Sequence, residues 1–126
     1  MNVLLDTCAL LALSRGELPG AATRALQAAQ EAWVSSISPW EVAIKSAGGK
    51  LRIKEPPFLW FLGLCERHTL REVPIEARIV CAAAVLPPIH RDPFDRVLVA
   101  LAQANALTVL TSDQSIPRYP GVKTLW

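Results

Sequence analysis

Apolar residues recur along this chain in two rhythms. Asn2 to Leu5 is a short unbroken apolar run, the pattern of a strand buried on both faces of a parallel sheet. Comparable stretches at Ala32 to Ser36, Arg71 to Ile75, Leu107 to Leu110 and Val122 to Leu125 predict four more strands. Helical segments separate them. Thr7 to Ser14 follows the first strand, and Gly16 to Gly20, with Pro19, breaks the chain before the alanine-rich stretch Ala21 to Glu31. Pro56-Pro57 opens a helix rich in aromatic residues and leucine that reaches about His68, and Glu76 to Val85 forms a weaker one ended by Pro87-Pro88.

Two helix starts share one grammar. In Ser38-Pro39-Trp40-Glu41 the serine reads as N-cap, proline as the first helical residue and glutamate as the third-position acid of a capping box; Gly48-Gly49 stops the helix after about Ala47. Asp92-Pro93-Phe94-Asp95 repeats the pattern, and Val97, Leu98, Leu101 and Ala102 then form the apolar face of a helix reaching about Asn105. Strands alternating with helices predict an α/β fold with an open, largely parallel sheet, whose sites lie beyond the carboxyl ends of the strands.

The chain has 126 residues, 52% of them hydrophobic, enough to bury one core, so residues 1–126 read as a single domain. A net charge of +2 is not a strong nucleic-acid signature. Lys45, Lys50, Arg52 and Lys54 nevertheless cluster, and they fit a solvated helix end or a phosphate-contacting rim equally well. Three unpaired cysteines, Cys8, Cys65 and Cys81, suggest neither a disulfide framework nor a thiolate zinc site. The chain shows no basic leader and no apolar run long enough to span a bilayer, so a cytoplasmic protein without membrane contact is expected.

Four acids then stand out. Asp6 and Asp113 follow strands directly, Glu41 opens the helix after the second strand, and Asp95 arrives at a helix N-terminus. Like charges about 4 Å apart repel by roughly 4 kcal/mol at an effective dielectric near 20, so a fold that gathers them implies a cation or shared protons. Each has a structural alternative. Glu41 and Asp95 could serve as caps worth on the order of 0.3–1 kcal/mol each, and Asp113 in Thr111-Ser112-Asp113 could close a turn onto its own backbone. Asp6, at the end of a central strand, is the hardest to explain structurally. An oxygen-rich, thiolate-free set suits Mg²⁺ or Mn²⁺. His68 and His90 form no nucleophile–base pair and read as surface or hinge residues; Trp33, Trp40, Trp60 and Phe61 read as core or interface.

Taken together, Leu4-Leu5-Asp6-Thr7, Ser38-Pro39-Trp40-Glu41-Val42-Ala43-Ile44-Lys45, His90-Arg91-Asp92-Pro93-Phe94-Asp95-Arg96 and Leu110-Thr111-Ser112-Asp113 resemble the PIN-domain ribonucleases, in particular the VapC-type toxins of toxin–antitoxin pairs. The ordered set spans nearly the whole chain. The resemblance implies a three-layer α/β/α fold with a mostly parallel sheet of about five strands, and a catalytic metal pocket of Asp6, Glu41, Asp95 and, more variably, Asp113. It implies Mg²⁺- or Mn²⁺-dependent endoribonuclease activity, an RNA substrate, a cognate antitoxin and a homodimer. Arg96, Lys45 and Arg15 are then the candidates for holding RNA phosphates at the rim, although Lys45 could simply pair with Glu41. Cys8 departs from the family, whose members often carry histidine there. The alternatives are a PIN-like module that binds RNA or protein without cutting, and a phosphoryl-transfer or receiver-type domain, which Cys8 disfavours by occupying the place of a second acid.

Overall fold

The computed structural model describes residues 1–126. Its sheet contains β1 (Val3–Leu5), β2 (Ala32–Ser35), β3 (Leu70–Val73), β4 (Thr108–Leu110) and β5 (Lys123–Leu125) in the order β3-β2-β1-β4-β5. Every neighbouring pair is parallel, with Val3 opposite Ala32 on one side and Thr108 on the other. The helices are α1 (Thr7–Ser14), α2 (Gly20–Ala28), α3 (Ile37–Ala47), α4 (Pro57–His68), α5 (Ala77–Ala84) and α6 (Pro93–Asn105), with a 3₁₀ turn at Ile116–Arg118 before β5.

The central strands are buried on both faces, and the alternation of their side chains divides the core in two. Val3, Leu5, Val34 and Leu110 pack with Leu10, Val42, Trp60, Phe61 and Leu64 from α1, α3 and α4. Leu4 and Val109 point the other way, into Ile79, Ala83, Val97, Leu98 and Leu101 of α5 and α6. The result is the expected α/β/α arrangement, with element boundaries within about three residues of those read from the sequence. No helix is long and apolar enough to cross a membrane.

The tryptophans divide. Trp60 and Phe61 are core, whereas Trp40 is 56% exposed and meets Phe94 edge-to-face, with ring centroids 5.4 Å apart. Trp33 lies under the Arg71 guanidinium, 4.7 Å from the ring centroid.

Candidate metal centre at the carboxyl edge of the sheet

In this strand order the chain direction diverges between β1 and β4, and the crevice beyond their carboxyl ends is where open parallel sheets place ligands. Asp6 follows β1 and Thr111 follows β4, so both strands deliver polar residues to one crevice. A cavity of about 600 Å³ opens elsewhere, among Leu13, Leu26, Ala32 and Leu70; its acid, Glu31, is already paired with Arg71.

Asp6 is 2% exposed and N-caps α1, its Oδ1 accepting from the Ala9 N–H at 2.8 Å. That structural task, absent from the reading of the sequence, occupies one oxygen. Burial pushes its carboxyl up to about 6, against the lowering influence of the Thr111 hydroxyl and the Ala9 N–H, and the charges of Asp113 and Glu41 raise it further.

Glu41 corrects the capping-box expectation. α3 begins at Ile37, not after Ser38, so Glu41 lies beyond the first turn and Ser38 is already helical. The start is set by the two serines before it. Ser35 Oγ accepts from the Ile37 N–H at 3.1 Å, while the Ser36 hydroxyl donates to Glu72 at 2.7 Å, bracing the turn against β3. Ser38 is freed from capping and accepts from the Thr7 hydroxyl at 3.1 Å, tying α3 to α1. Glu41 itself is 4% exposed: Oε2 accepts from Lys45, but Oε1 is buried with no hydrogen-bond partner.

The second helix start behaves as read, with one exchange. Asp92 N-caps α6 through a 2.9 Å bond from the Phe94 N–H, and Asp95 sits in the first turn. The capping box is not closed, because the Asp92 N–H donates to His90 Nδ1 at 3.0 Å and not to Asp95. Burial pushes Asp95 up to about 7; Asp92, Asp6 and Glu41 raise it further and His90 opposes them. Asp113 takes the turn role foreseen for it and also meets His90. Its Oδ1 accepts from the Ser115 N–H at 2.8 Å and hydroxyl at 2.7 Å, a turn closed on its own backbone, while Oδ2 lies 2.7 Å from His90 Nε2. Burial raises the Asp113 carboxyl, but the bonds from Ser115 and His90 outweigh it and hold the group below its ordinary value.

His90 is therefore the site residue the sequence reading missed. Its place in the chain predicts a surface or hinge residue, yet its ring is flanked by two of the four acids, Asp95 Oδ2 lying 3.1 Å from Nε2. Its place immediately before Arg91-Asp92-Pro93, within the stretch that carried the family resemblance, was the one available signal. His68 is exposed at the end of α4, as expected of a surface residue.

The expected basic rim needs correction at two positions. Arg96 is not free: its two terminal nitrogens donate to the carbonyls of Ala83, Ala84, Leu86, Pro87 and His90, satisfying the end of α5 and the loop after it. Arg15 caps the far end of α1 from Asp6 and lines a separate cleft of about 340 Å³ with Arg52, Lys54 and Arg67. Lys45 remains at the pocket, paired with Glu41, and that hydrogen bond holds its ammonium above the ordinary lysine value. At Cys8, partial burial of the sulfur, reinforced by Asp6, Asp95 and Glu41, pushes the thiol up to about 11, so it supplies no thiolate at neutral pH.

The donor set fits a hard divalent cation. Four carboxylates raise or feel one another's charge, and one buried oxygen, Glu41 Oε1, has no partner within the chain. A buried carboxylate oxygen left unpaired is costly, and a cation removes that cost.

Residues 3–122 match the family model of the PIN domain. The chain belongs to that family. Ribonuclease VapC22 of Mycobacterium tuberculosis is 29% identical over 109 residues, covering 84% of this chain and 82% of the relative. Among solved structures, the VapBC2 complex from Rickettsia felis, bound to a DNA fragment from its promoter, matches with a TM-score of 0.73 at 17% identity, covering 100% of this chain and 99% of that one. FitAcB from Neisseria gonorrhoeae matches at 0.69 and 19% identity, covering 100% and 97%. At such identities the two structures establish the fold.

Proposed function

We propose that this chain is a divalent-metal-dependent endoribonuclease, the toxin of a toxin–antitoxin pair. The observation that supports the reading is Glu41 Oε1, buried with no partner in the chain, on a side chain whose charge raises the carboxyls of both Asp6 and Asp95. The name of the M. tuberculosis relative, a ribonuclease, gives the substrate class. When bound, Mg²⁺ or Mn²⁺ supplies Lewis-acid polarisation of the scissile phosphate and activates water for in-line displacement.

The chain's own residues divide the remaining work. Asp6, Glu41 and Asp95 hold the cation, and Asp113 completes the acid set or orients the attacking water. Asp6 is fixed by capping α1, and Glu41 by Lys45. No protein nucleophile is required, and protonated Cys8 offers none. Lys45, with 44% of its side chain exposed, and Arg91, exposed and outside any ion pair, face incoming phosphates in place of Arg96.

The antitoxin is the expected protein partner, since solved relatives are toxin–antitoxin complexes. Phe58, Leu59 and Leu62 on α4 and Trp40 and Ile44 on α3 are exposed apolar side chains, the kind of surface an antitoxin or a second copy of the chain would cover.

The test is incubation of purified protein with mixed cellular RNA in Mg²⁺ or Mn²⁺, with EDTA and Asp6→Asn as controls. Cleavage abolished by both supports the reading; cleavage surviving both overturns it. RNA binding without cleavage, insensitive to EDTA, would identify a binding module instead.

A further inference from the structure

We propose that His90 is a positioning residue of the metal pocket: a ring whose Nε2–H donates to Asp113 close beside Asp95 and leaves the cation to oxygen ligands alone. The inference rests on the metal-centre reading above and assigns a residue that reading does not use.

The ring is held from every side. Its backbone N–H donates to the hydroxyl of Tyr119 at 2.8 Å, a residue only 2% exposed, and its carbonyl accepts from Arg96 at 3.3 Å. At the ring, Nδ1 accepts from the Asp92 N–H at 3.0 Å, so Nδ1 carries a lone pair and no proton. The remaining N–H must then be on Nε2, which points to Asp113 Oδ2 at 2.7 Å with Asp95 Oδ2 3.1 Å away.

A chemical consequence follows from the tautomer. His90, Asp95 and Asp113 place one potential ligand atom each within 4.8 Å of one another, which superficially resembles a three-ligand metal site. A nitrogen that carries its proton has no lone pair for a metal, so the ring in this arrangement donates a hydrogen bond and does not ligate. What it supplies is orientation. Asp113 is anchored through Oδ1 to Ser115 and through Oδ2 to His90, whose Nε2 lies 3.1 Å from Asp95 Oδ2 at the start of α6. The ring also lies between two carboxylates that would otherwise repel, with Nε2 2.7 Å from Asp113 Oδ2 and 3.1 Å from Asp95 Oδ2.

Three variants separate this role from its competitors. In glutamine the amide nitrogen reaches the place of Nε2, whereas in asparagine it reaches only that of Nδ1. Mn²⁺ affinity, measured by calorimetry without RNA, should fall roughly tenfold or more in His90→Ala and His90→Asn, the usual loss when a group supporting a metal ligand is removed. It should return to within about threefold of wild type in His90→Gln. Thermal unfolding of the metal-free variants reports whether the loop has merely come loose, which would lower all three alike. ¹⁵N NMR of the metal-free protein should show the proton on Nε2.

Equal Mn²⁺ affinity in His90→Ala and wild type, loss in His90→Gln as large as in His90→Ala, or a proton on Nδ1 would each overturn the proposal. A wild-type protein that binds Mn²⁺ yet cuts no RNA would sink the nuclease reading while the variant affinities still decide the role of His90. If wild type binds no Mn²⁺, the metal centre and this role fall together, whatever the tautomer.

Discussion

The starts of α3 and α6 carry nearly the same words, Ser38-Pro39-Trp40-Glu41 and Asp92-Pro93-Phe94-Asp95, yet the fold treats them differently. At α6 the local grammar holds: Asp92 caps the helix with its own carboxylate, and Asp95 follows in the first turn. At α3 the helix starts earlier, at Ile37, because Ser35 Oγ accepts from the Ile37 N–H and the Ser36 hydroxyl joins the turn to the neighbouring strand. Ser38 is thereby released to bond Thr7, and Glu41 moves past the point where capping could explain it. The comparison teaches that an N-cap motif states which helix starts are cheap, while nearby partners decide which one is used. The two segments meet again where Trp40 packs on Phe94 and where Glu41 raises the carboxyl of Asp95.

The strongest way to break the comparison is to neutralise the two acids. Glu41→Gln and Asp95→Asn should each reduce RNA cleavage by roughly a hundredfold or more, because loss of metal-centred charge stabilisation costs several kcal/mol in the transition state. Single-turnover cleavage in Mn²⁺ measures it. If Asp95→Asn alone kept full activity, the α6 acid would be a first-turn partner of the helix dipole and nothing else.

Acidity gives the next effect. The carboxyls of Asp6 and Asp95 lie at about 6 and about 7, above the model-peptide value of 3.8, so between pH 4 and 7 the metal-free folded state binds more protons than the unfolded one. Their contribution therefore falls as pH rises through that window, and the metal-free protein should melt at a lower temperature at pH 8 than at pH 5. Mn²⁺ must displace the same protons, so its affinity should rise from pH 6 to 8, by up to about tenfold per pH unit for each proton released. Calorimetry in buffers of different ionisation enthalpy counts those protons. Asp113, held low, works in the opposite sense and loses its stabilising share only as pH falls below about 4.

Smaller effects sharpen the contrast between the helix starts. Asp92→Ala should cost about 1 kcal/mol of stability through the lost cap, with Asp92→Gly costing less. Ser38→Ala should instead be coupled to Thr7→Val, by about 1 kcal/mol in a double-mutant cycle of urea unfolding, since the hydroxyls serve each other. Additive losses at residues 7 and 38 would return Ser38 to a capping role. Smallest of all, Trp40→Ala and Phe94→Ala should couple by about 0.5 kcal/mol, the low end for an aromatic pair, because Trp40 is largely exposed.

Much of the molecule was legible from its residues in order. Unbroken apolar runs such as Val3–Leu5 specify strands covered on both faces, and the alternation of strands with helices leaves a parallel sheet as the arrangement that buries them. Proline at the head of α6 and Gly49 after α3, at φ 74°, mark boundaries through backbone sterics alone. Such signals act over a few residues, so the chain by itself determined its elements, their layering and the crevice that receives Asp6 and Asp113. What only the tertiary structure decided were the partners of polar groups. Arg96 turned to the carbonyls ending α5, Ser36 to Glu72, and His90 to Asp113, each across a separation that no local pattern encodes. A hydrogen bond is satisfied by whichever donor the fold brings within about 3 Å, and that is a property of packed elements and not of neighbouring letters.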